Sequence, residues 1–335
     1  MSIYFLCGGL LLASFLFTGL IKTLAHRAQM IDVPVLRSAH SFPTPVGGGA
    51  GIALLFLLVA SHYYRVGVIP FAEFMAIVAT AFIAALGLID DIKPLDIRWR
   101  VPPQFLAAIW VIGWLGNVPA ISFGSWQLET VWILNLLAVL GLVWLLNLFN
   151  FMDGIDGIAG SELVCVNLMV LFLVISSEDE VVTLLSATLA SVGAGFLLWN
   201  WSPAKIFMGD VGSAFIGFSL GVLALLTMHH QSMTIWSWLL LLGVFVADSG
   251  VTLIRRFMRR DKWYEGHACH AYQNAARHYR SHSKVTITVI LINSLWLAPL
   301  AWVAVRLPEL GVVLCVLGIV PLVVLAIRLD AGIPE

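Results

Sequence analysis

The chain has 335 residues, of which 60% are hydrophobic and 11% are charged, and its formal net charge is −1 at pH 7. Soluble domains usually carry about 25% charged residues. This composition therefore excludes an ordinary soluble domain and indicates an integral membrane protein.

Eleven apolar segments predict eleven membrane-spanning helices. The first segment has no basic residue ahead of it, and the first charge, Lys22, follows it. We therefore predict a retained helix with its N-terminus outside, rather than a cleaved signal peptide. No linker or internal repeat interrupts the sequence, which favours a single membrane domain over residues 1–335. In chain order the predicted spans are 3–21, 47–64, 71–89, 104–118, 132–149, 157–176, 182–200, 212–229, 235–254, 285–305 and 310–327.

The distribution of basic residues predicts the orientation. With the N-terminus outside, all of the 18 lysines and arginines except Arg65 and Arg306 fall on the inside face, as is typical of cytoplasmic segments. We therefore predict an all-α polytopic protein of a bacterial inner membrane, with a periplasmic N-terminus and a cytoplasmic C-terminus. The polar motifs all lie in the predicted cytoplasmic loops, so we expect the active site there.

Two adjacent carboxylates, Asp90 and Asp91, end the third predicted span, and Arg98 and Arg100 follow them. The mutual repulsion of such a pair at a membrane boundary invites a cation. A pair of this kind can also simply mark the exit of a helix into water. Taken alone, the pair favours neither interpretation.

Asn150, Asp153 and Asp156 recur every three residues in "NFMDGIDGIAG", after the fifth span. On a helix this spacing places the three side chains within about 120° of arc. Capping of a helix N-terminus needs only one acid, so the pattern favours a functional site. Asp210 lies in "FMGDVGS", where glycines let the backbone approach a ligand and the next helix N-terminus favours anions.

The remaining polar candidates lie in the ninth span and in the basic loop after it. Asp248 precedes Arg255 by seven residues, which fits either a structural ion pair or a role in the site. His267 and His270, in "HACH", lack the second pair of ligands expected of a zinc site. Their basic surroundings fit phosphate binding, or an ordinary contact with anionic lipid.

Taken together, carboxylates from separate loops on one face, with a basic loop facing them, describe a pocket for a divalent metal and phosphates. Oxygen ligands suit Mg²⁺ or Mn²⁺, and Mg²⁺ usually needs only one or two protein ligands beside phosphate oxygens and water. The chemistry that such a pocket serves is phosphoryl transfer.

With these motifs in this order, the chain resembles the polyprenyl-phosphate N-acetylhexosamine-1-phosphate transferases, of the glycosyltransferase family 4 type. The resemblance rests on "RSAHSFPTPVGGG", "GLIDD", "NFMDGIDGIAG", "KIFMGDVGS" and "HACHAYQNAAR". The last motif is most similar to the branch that initiates O-antigen or related envelope glycans. The resemblance implies that an undecaprenyl phosphate oxygen attacks the β-phosphorus of a UDP-N-acetylhexosamine, that UMP leaves, and that a lipid-diphosphate sugar forms.

The resemblance also implies roles for individual residues. We expect Asp210 to be the best Mg²⁺ ligand, with Asn150 next, and Mn²⁺ is the alternative ion. The expected catalytic residues are Asp90, Asp91, Asp153 and His267. The expected substrate-binding residues, on the uridine and diphosphate sides, are Asp156, Phe207, His270, Arg255, Arg256, Arg277 and His40.

Three positions depart from the family pattern. Val46 and Ala268 stand where many relatives carry arginines, and Cys269 is atypical. We expect Arg37, Arg255 or Arg277 to make the phosphate contacts that the missing arginines would make.

Two other functions deserve comparison. An intramembrane aspartyl protease needs two acids that share a proton, which explains neither the other motifs nor the basic loop. A multispan transporter of an anionic or lipid-linked solute tends to have charges near the midplane and inverted repeats, whereas these charges cluster at one interface. The sequence leaves open the sugar (GlcNAc, GalNAc, FucNAc or QuiNAc), the choice between direct attack and a covalent aspartyl intermediate, and whether a homodimer forms. Membrane lipid is an expected partner, and nucleic acid is not.

Overall fold

The computed structural model describes residues 3–34, 42–175, 177–261 and 268–333, which are mostly helical. In chain order the helices are α1 (Ile3–Arg27), α2 (Gly49–Arg65), α3 (Phe71–Ile92), α4 (Ile97–Leu115), α5 (Val131–Met152), α6 (Ile158–Val174), α7 (Glu180–Asn200), α8 (Asp210–His229), α9 (Ile235–Leu241), α10 (Gly243–Met258), α11 (Ala271–Tyr279), α12 (His282–Ile292), α13 (Ala298–Arg306) and α14 (Gly311–Arg328). A π-helical turn (Asn293–Leu297) joins α12 to α13, and a 3₁₀ turn (Pro308–Leu310) precedes α14.

The prediction of a mostly helical, polytopic membrane protein is confirmed. Among the described residues, seven helices are long and apolar enough to cross a membrane, or eight if α9 and α10, which are bent by 80°, form one span. Every predicted span overlaps a helix, but α2 and α6 have only 17 residues each. At 1.5 Å per residue they reach about 25 Å, less than the hydrocarbon core of about 30 Å. The count of eleven spans and the orientation therefore stay predictions.

Within the described ranges, two short antiparallel hairpins interrupt the helices, and neither was predicted from the sequence. β1 (Ile31–Asp32) pairs with β2 (Thr44–Pro45), and β3 (Ile121–Phe123) pairs with β4 (Trp126–Leu128). Strands of two or three residues are too short for an alternating pattern to be read. The first hairpin matters for the site, because it draws the segment after α1 towards the start of α2.

Helix α8 lies at the centre of the fold, and the residues from Val211 to Met228 are all buried. Its neighbours α3 and α5 pack along its length, with α2 and α7 beside it. Aromatic side chains fill the contact, as where Phe56 of α2 meets Phe215 edge-on at 5.7 Å between ring centroids. Because protein surrounds it, α8 can be apolar on all sides without facing lipid.

A close contact between α3 and α8 lies at the end that carries the acidic motifs. A Cβ on Gly87 of α3 would lie 2.5 Å from the backbone oxygen of Asp210. Asp91 accepts hydrogen bonds from the amides of Asp210 (2.8 Å) and Val211 (3.1 Å), and so caps the N-terminus of α8. The fold therefore brings two sequence-distant acidic motifs together through backbone contact.

The opposite end of α3 and α8 is held by His230. Its Nδ1 lies 3.0 Å from the carboxylate of Asp179, and its Nε2 lies 3.0 Å from Oε1 of Glu73. These hydrogen bonds, first to Asp179 and then to Glu73, raise the pKa of His230 to about 10 from its ordinary value of 6.5. Because the folded pKa is the higher one, the charged ring stabilises the fold in full below pH 6.5, and this contribution disappears as the pH rises through 10.

We expect the thermal unfolding temperature of the detergent-purified protein to fall as the pH rises from 6.5 to 10. The His230→Gln variant is expected to unfold at a lower temperature below pH 6.5 and to lose most of this pH dependence. His62→Gln, which changes an exposed histidine of α2, is the matched control and should keep the original profile. Identical pH profiles for His230→Gln and the unsubstituted protein would contradict the assignment.

Candidate active site

A cleft of about 800 Å³ opens among the ends of α3, α5 and α8, the loop between α5 and α6, and the start of α11. This volume is typical of small-molecule sites. Many of the predicted site residues line it: Asp91, Asn150, Asp153, Asp156, Phe207, Asp210 and His270. Residues that are far apart in the sequence therefore converge on one cleft.

Asn150 and Asp210 meet directly across the cleft. Nδ2 of Asn150 donates hydrogen bonds to Oδ1 of Asp210 at 2.6 Å and to Oγ of Ser213 at 3.3 Å. Asn150 lies in the last turn of α5, and Asp210 is the first residue of α8. Two helix ends thus place a carboxylate and an amide side by side.

The expectation that Asn150, Asp153 and Asp156 share one helical face is wrong. Helix α5 ends at Met152, so only Asn150 is helical, and the two aspartates lie in the loop before α6. Asp153 follows the last residue of α5, and Gly157, whose φ of +78° is a conformation that glycine adopts readily, precedes α6, so the two helices are not continuous. All three side chains nevertheless face the cleft.

The two loop aspartates differ in electrostatic environment. Burial, with the nearby charges of Asp210, Asp91 and Asp156, raises the pKa of Asp153 well above its usual value. Burial acts to raise the pKa of Asp156 too, but the hydrogen bond and charge of His282 outweigh it, and this pKa lies below its usual value. Nδ1 of His282 lies 3.3 Å from Oδ2 of Asp156.

Asp90 lies behind the cleft and is 8% exposed. Nη1 of Arg100 lies 2.9 Å from Oδ2 of Asp90 and 3.6 Å from Oδ2 of Asp210, so one guanidinium bridges the two acidic motifs. The amide of Leu95 donates to the other oxygen of Asp90 at 2.7 Å. Both oxygens of Asp90 are therefore engaged, and Arg100 is the residue that reaches the cleft.

On the opposite wall, His270 is oriented by Asp248. Nδ1 of His270 lies 3.1 Å from Oδ1 of Asp248, which also accepts the amide hydrogen of Ala271 at 2.9 Å. Oδ2 of Asp248 accepts from the amide of Tyr272 at 2.8 Å. Of the two roles considered for Asp248, the structure therefore places it beside the site, where it caps α11 and holds His270.

The predicted arginine contacts are not brought to the cleft. Arg255 donates to the carbonyl of Ala331 at 2.9 Å, Nη1 of Arg256 lies 3.7 Å from the sulfur of Cys269, and Arg277 donates to the carbonyl of Ala268 at 2.8 Å. None of the three arginines lines the cleft. A basic sequence predicts charge on a loop, but not the direction in which each guanidinium points. His40, His267 and Arg37 lie outside the described residues.

The structure also adds cleft residues to which the sequence assigned no role. They include Asp32, Arg100, Tyr272, Gln273 and His282. Tyr272 and Gln273 belong to the "HAYQ" part of a motif already recognised, and Tyr272 donates to the carbonyl of Phe151 at 2.9 Å. His282 belongs to no motif, because its partner Asp156 lies 126 residues earlier.

The cleft residues fit a hard divalent cation. Five carboxylates, those of Asp32, Asp91, Asp153, Asp156 and Asp210, line it. Burial, together with repulsion from the charges of Asp210, Asp91 and Asp156, raises the pKa of Asp153. A bound cation would relieve that repulsion. Among the described residues no three His, Cys, Asp or Glu side chains form a ready ligand cluster. Mg²⁺ does not need one, because phosphate oxygens and water complete its shell around one or two protein ligands.

Comparisons with known proteins identify the family of the chain. The family model described as glycosyl transferase family 4 matches residues 73–228, which run from the start of α3 to the end of α8. A protein of Bacillus subtilis named "Probable undecaprenyl-phosphate N-acetylglucosaminyl 1-phosphate transferase" is 28% identical over 84% of this chain and 80% of its own.

Two further relatives cover most of the chain. The decaprenyl-phosphate N-acetylglucosaminephosphotransferase of Mycobacterium leprae is 33% identical over 61% of this chain and 56% of its own. The phospho-N-acetylmuramoyl-pentapeptide-transferase of Synechococcus elongatus is 30% identical over 68% of each chain. The chain therefore belongs to glycosyl transferase family 4, among its polyprenyl-phosphate sugar-1-phosphate transferases.

Proposed function

We propose that this protein transfers an N-acetylhexosamine-1-phosphate from a UDP-sugar to undecaprenyl phosphate, releasing UMP and forming an undecaprenyl-diphosphate sugar. The observation that carries the proposal is the convergence of Asp91, Asn150, Asp153 and Asp210 on one cleft beside Arg100. An anionic diphosphate needs both cations and oriented oxygen ligands around it. The names of the family 4 relatives support the same reaction class.

The chemistry requires little from a general base. A phosphate monoester has a second pKa of about 6 and is mostly dianionic at pH 7, so the attacking oxygen of the lipid phosphate already carries charge. The protein must instead bring two anions together and neutralise them. Among the residues that the structure describes, Arg100 is the arginine or lysine that lines the cleft, and Asp90 holds it in place. We assign Asp90 to positioning Arg100, rather than to removing a proton.

Asp210 and Asn150 would hold the Mg²⁺ ion, with Mn²⁺ as the alternative. When bound, the ion would neutralise diphosphate charge and so favour departure of UMP. Asp91 fixes the backbone at the start of α8, and thereby the position of the Asp210 side chain. Nη1 of Arg100 lies 3.6 Å from Oδ2 of Asp210, close enough for the guanidinium to neutralise part of the phosphate charge.

The remaining cleft residues would contact the nucleotide and the sugar. We place Asp153, Asp156 and Phe207 on the uridine side, and His270 with Gln273 beside the diphosphate. Asp156 is fixed by His282 and by the amide of Ala204 at 3.2 Å, so its carboxylate has a defined direction. A fixed acceptor of this kind suits recognition of a donor group on the nucleotide.

We also propose that the cleft faces the cytoplasm of a bacterial inner membrane, where UDP-sugars are made, and that the product starts an O-antigen or related envelope glycan. The bias of basic residues supports that orientation. Reaction of a membrane-impermeant thiol reagent with single cysteines introduced beside the cleft, in intact cells and in opened membranes, tests it. Labelling in intact cells would contradict a cytoplasmic cleft.

The direct test is UMP release by the purified protein in detergent, with Mg²⁺ and undecaprenyl phosphate. We expect release with at least one of UDP-GlcNAc, UDP-GalNAc, UDP-FucNAc and UDP-QuiNAc, and none when the lipid phosphate is omitted. The preferred sugar follows from comparing the four rates. Absence of UMP with all four, from protein that is folded by its thermal transition, would contradict the proposed function.

A further inference from the structure

The cleft wall that carries His270 consists of residues 268–270, which have no regular structure, and the first two residues of α11. Residues 268–272, called here the His270 segment, contribute Ala268, His270 and Tyr272 to the lining of the cleft. An irregular segment keeps a defined shape only when other elements satisfy its backbone groups. Contacts to this segment come from both directions along the chain.

From one side, Asp248 of α10 holds the segment. Its carboxylate is 4% exposed and accepts hydrogen bonds from the ring of His270, from the amides of Ala271 and Tyr272, and from Oγ1 of Thr252 at 3.2 Å. A carboxylate at the N-terminus of α11 also interacts favourably with the helix dipole. Asp248 therefore fixes both the start of α11 and the orientation of the imidazole.

From the other side, a turn that follows α14 closes over the segment. The turn comprises residues 329–333 and is called here the α14 turn. The amide of Gly332 donates to the carbonyl of Cys269 at 2.7 Å, and Asn274 of α11 donates to the carbonyl of Leu329 at 2.7 Å. Arg255 of α10 donates to the carbonyl of Ala331 at 2.9 Å.

A small apolar cluster anchors the α14 turn. Ala331 is 0% exposed and packs with Val251 of α10, Ala271 of α11 and Ala326 of α14. This cluster is separate from the main hydrophobic core. It packs the α14 turn against the start of α11 and thereby holds the turn beside the His270 segment.

Gly332 is needed for the turn to fit. Its φ is +79°, which L-residues with a side chain rarely adopt. A Cβ there would also lie 2.9 Å from Cβ of Arg255 and 2.9 Å from the carbonyl oxygen of Thr252. Adding one methyl group at this position must therefore displace the turn from α10.

We propose that the α14 turn, with Asp248 on the opposite side, holds the His270 segment at the cleft, and that Gly332 and Arg255 are positioning residues for the reaction. Neither residue lines the cleft. Gly332 acts through its hydrogen bond to the carbonyl of Cys269, and Arg255 acts through the α14 turn, where it bonds to the carbonyl of Ala331. The effect on turnover rests on the proposed function, whereas the effect on the segment does not.

Cys269 gives a readout of the segment that needs no activity. The residue is 4% exposed, and its carbonyl accepts the hydrogen bond from Gly332. Gly332→Ala is expected to raise the rate of maleimide labelling at Cys269, quantified by peptide mass spectrometry of the full-length protein in detergent, by about tenfold. Gly67→Ala is the matched control, because Gly67 has a similar φ of +81° but no atom within 4 Å of the added Cβ.

Turnover supplies the second readout. In Gly332→Ala we expect kcat for UMP release to fall about 10- to 100-fold with a much smaller change in KM, because a displaced segment loses contacts made in the transition state. Arg255→Met is expected to act in the same direction, and Arg255→Lys, which keeps a donor for the carbonyl of Ala331, should recover most of the activity. Gly67→Ala should match the unsubstituted protein in both readouts.

The outcomes separate the two proposals. Labelling of Cys269 at the original rate in a folded Gly332→Ala variant would overturn the inference, as would faster labelling with unchanged kcat. If Gly332→Ala shows no cooperative thermal transition, Arg255→Met, which removes a side-chain donor without a backbone clash, decides by the same two readouts. If the unsubstituted protein releases no UMP from any UDP-sugar, the proposed function fails, and labelling of Cys269 still decides whether the α14 turn holds the segment.

Discussion

Replacement of Asp210 with asparagine is expected to lower UMP release by about 10³-fold or more, without unfolding the protein. The substitution removes the charge that would hold Mg²⁺ and that attracts Arg100, 3.6 Å away. The cap of α8 survives, because Asp91 bonds to the backbone amide of residue 210 and not to its side chain. Initial rates of UMP release, together with the thermal unfolding temperature of the same preparation, measure both effects.

Asp96→Asn is the control for loss of one negative charge at the same end of the molecule. The side chain of Asp96 is 54% exposed and caps α4, and asparagine caps a helix equally well. We expect this variant to keep normal turnover. Near-normal activity of Asp210→Asn would contradict the assignment of Asp210 to the metal, whereas equal losses in both variants would indicate a general effect of charge.

The second large effect is expected for Arg100→Met. The change leaves the carboxylate of Asp90, which is 7% exposed in its side chain, without its guanidinium partner. Breaking such a pair costs more than the pair contributes, and we expect a loss of about 2–3 kcal/mol in the free energy of unfolding. We also expect UMP release to fall about 10²- to 10³-fold, because the positive group aimed at the cleft is removed.

A double variant distinguishes the two effects of Arg100. Adding Asp90→Asn to Arg100→Met removes the unpaired charge, so the unfolding temperature should recover while turnover should not. Arg98→Met is the neighbouring control, because the side chain of Arg98 is 85% exposed, and it should alter neither quantity. A result for Arg100→Met that matches Arg98→Met would show that the bridge between the acidic motifs is unimportant.

Much of the fold could be predicted because a lipid environment simplifies the physics. Every backbone polar group must be satisfied within the segment, so long apolar runs become helices, and each predicted span overlaps one. The bend of 80° between α9 and α10 and the two hairpins could not be predicted. The bend depends on packing against neighbouring helices, and its residues are as apolar as those of a straight span. The strands of the hairpins are too short to show a pattern.

The sequence predicted which residues line the site better than it predicted how they are arranged. The spacing predicted a helix for Asp153 and Asp156, whereas α5 ends at Met152, before both, yet both side chains still line the cleft. The spacing of the residues identified the motif, but its conformation depends on tertiary contacts. The converse holds for Arg255 and Arg277, whose positive charge was recognised but whose donors turn to carbonyl oxygens of the chain.

Contacts between residues distant in the sequence were beyond prediction. The pairing of His282 with Asp156 and that of Asp248 with His270 follow from the folding of α12 and α10 against the loops, and no local pattern marks either. The role of each of these side chains depends on which element lies beside it.

The enclosure of α8 has a consequence for how the protein responds to its surroundings. Only 11% of the most apolar stretch of α1 is buried, whereas α8 is buried throughout. A change of detergent or of acyl-chain length therefore acts first on outer helices such as α1, and the spacing between Gly87 and Asp210 is insulated from it. We accordingly expect differences in activity between detergents to reflect delivery of the lipid substrate more than a rearrangement around α8.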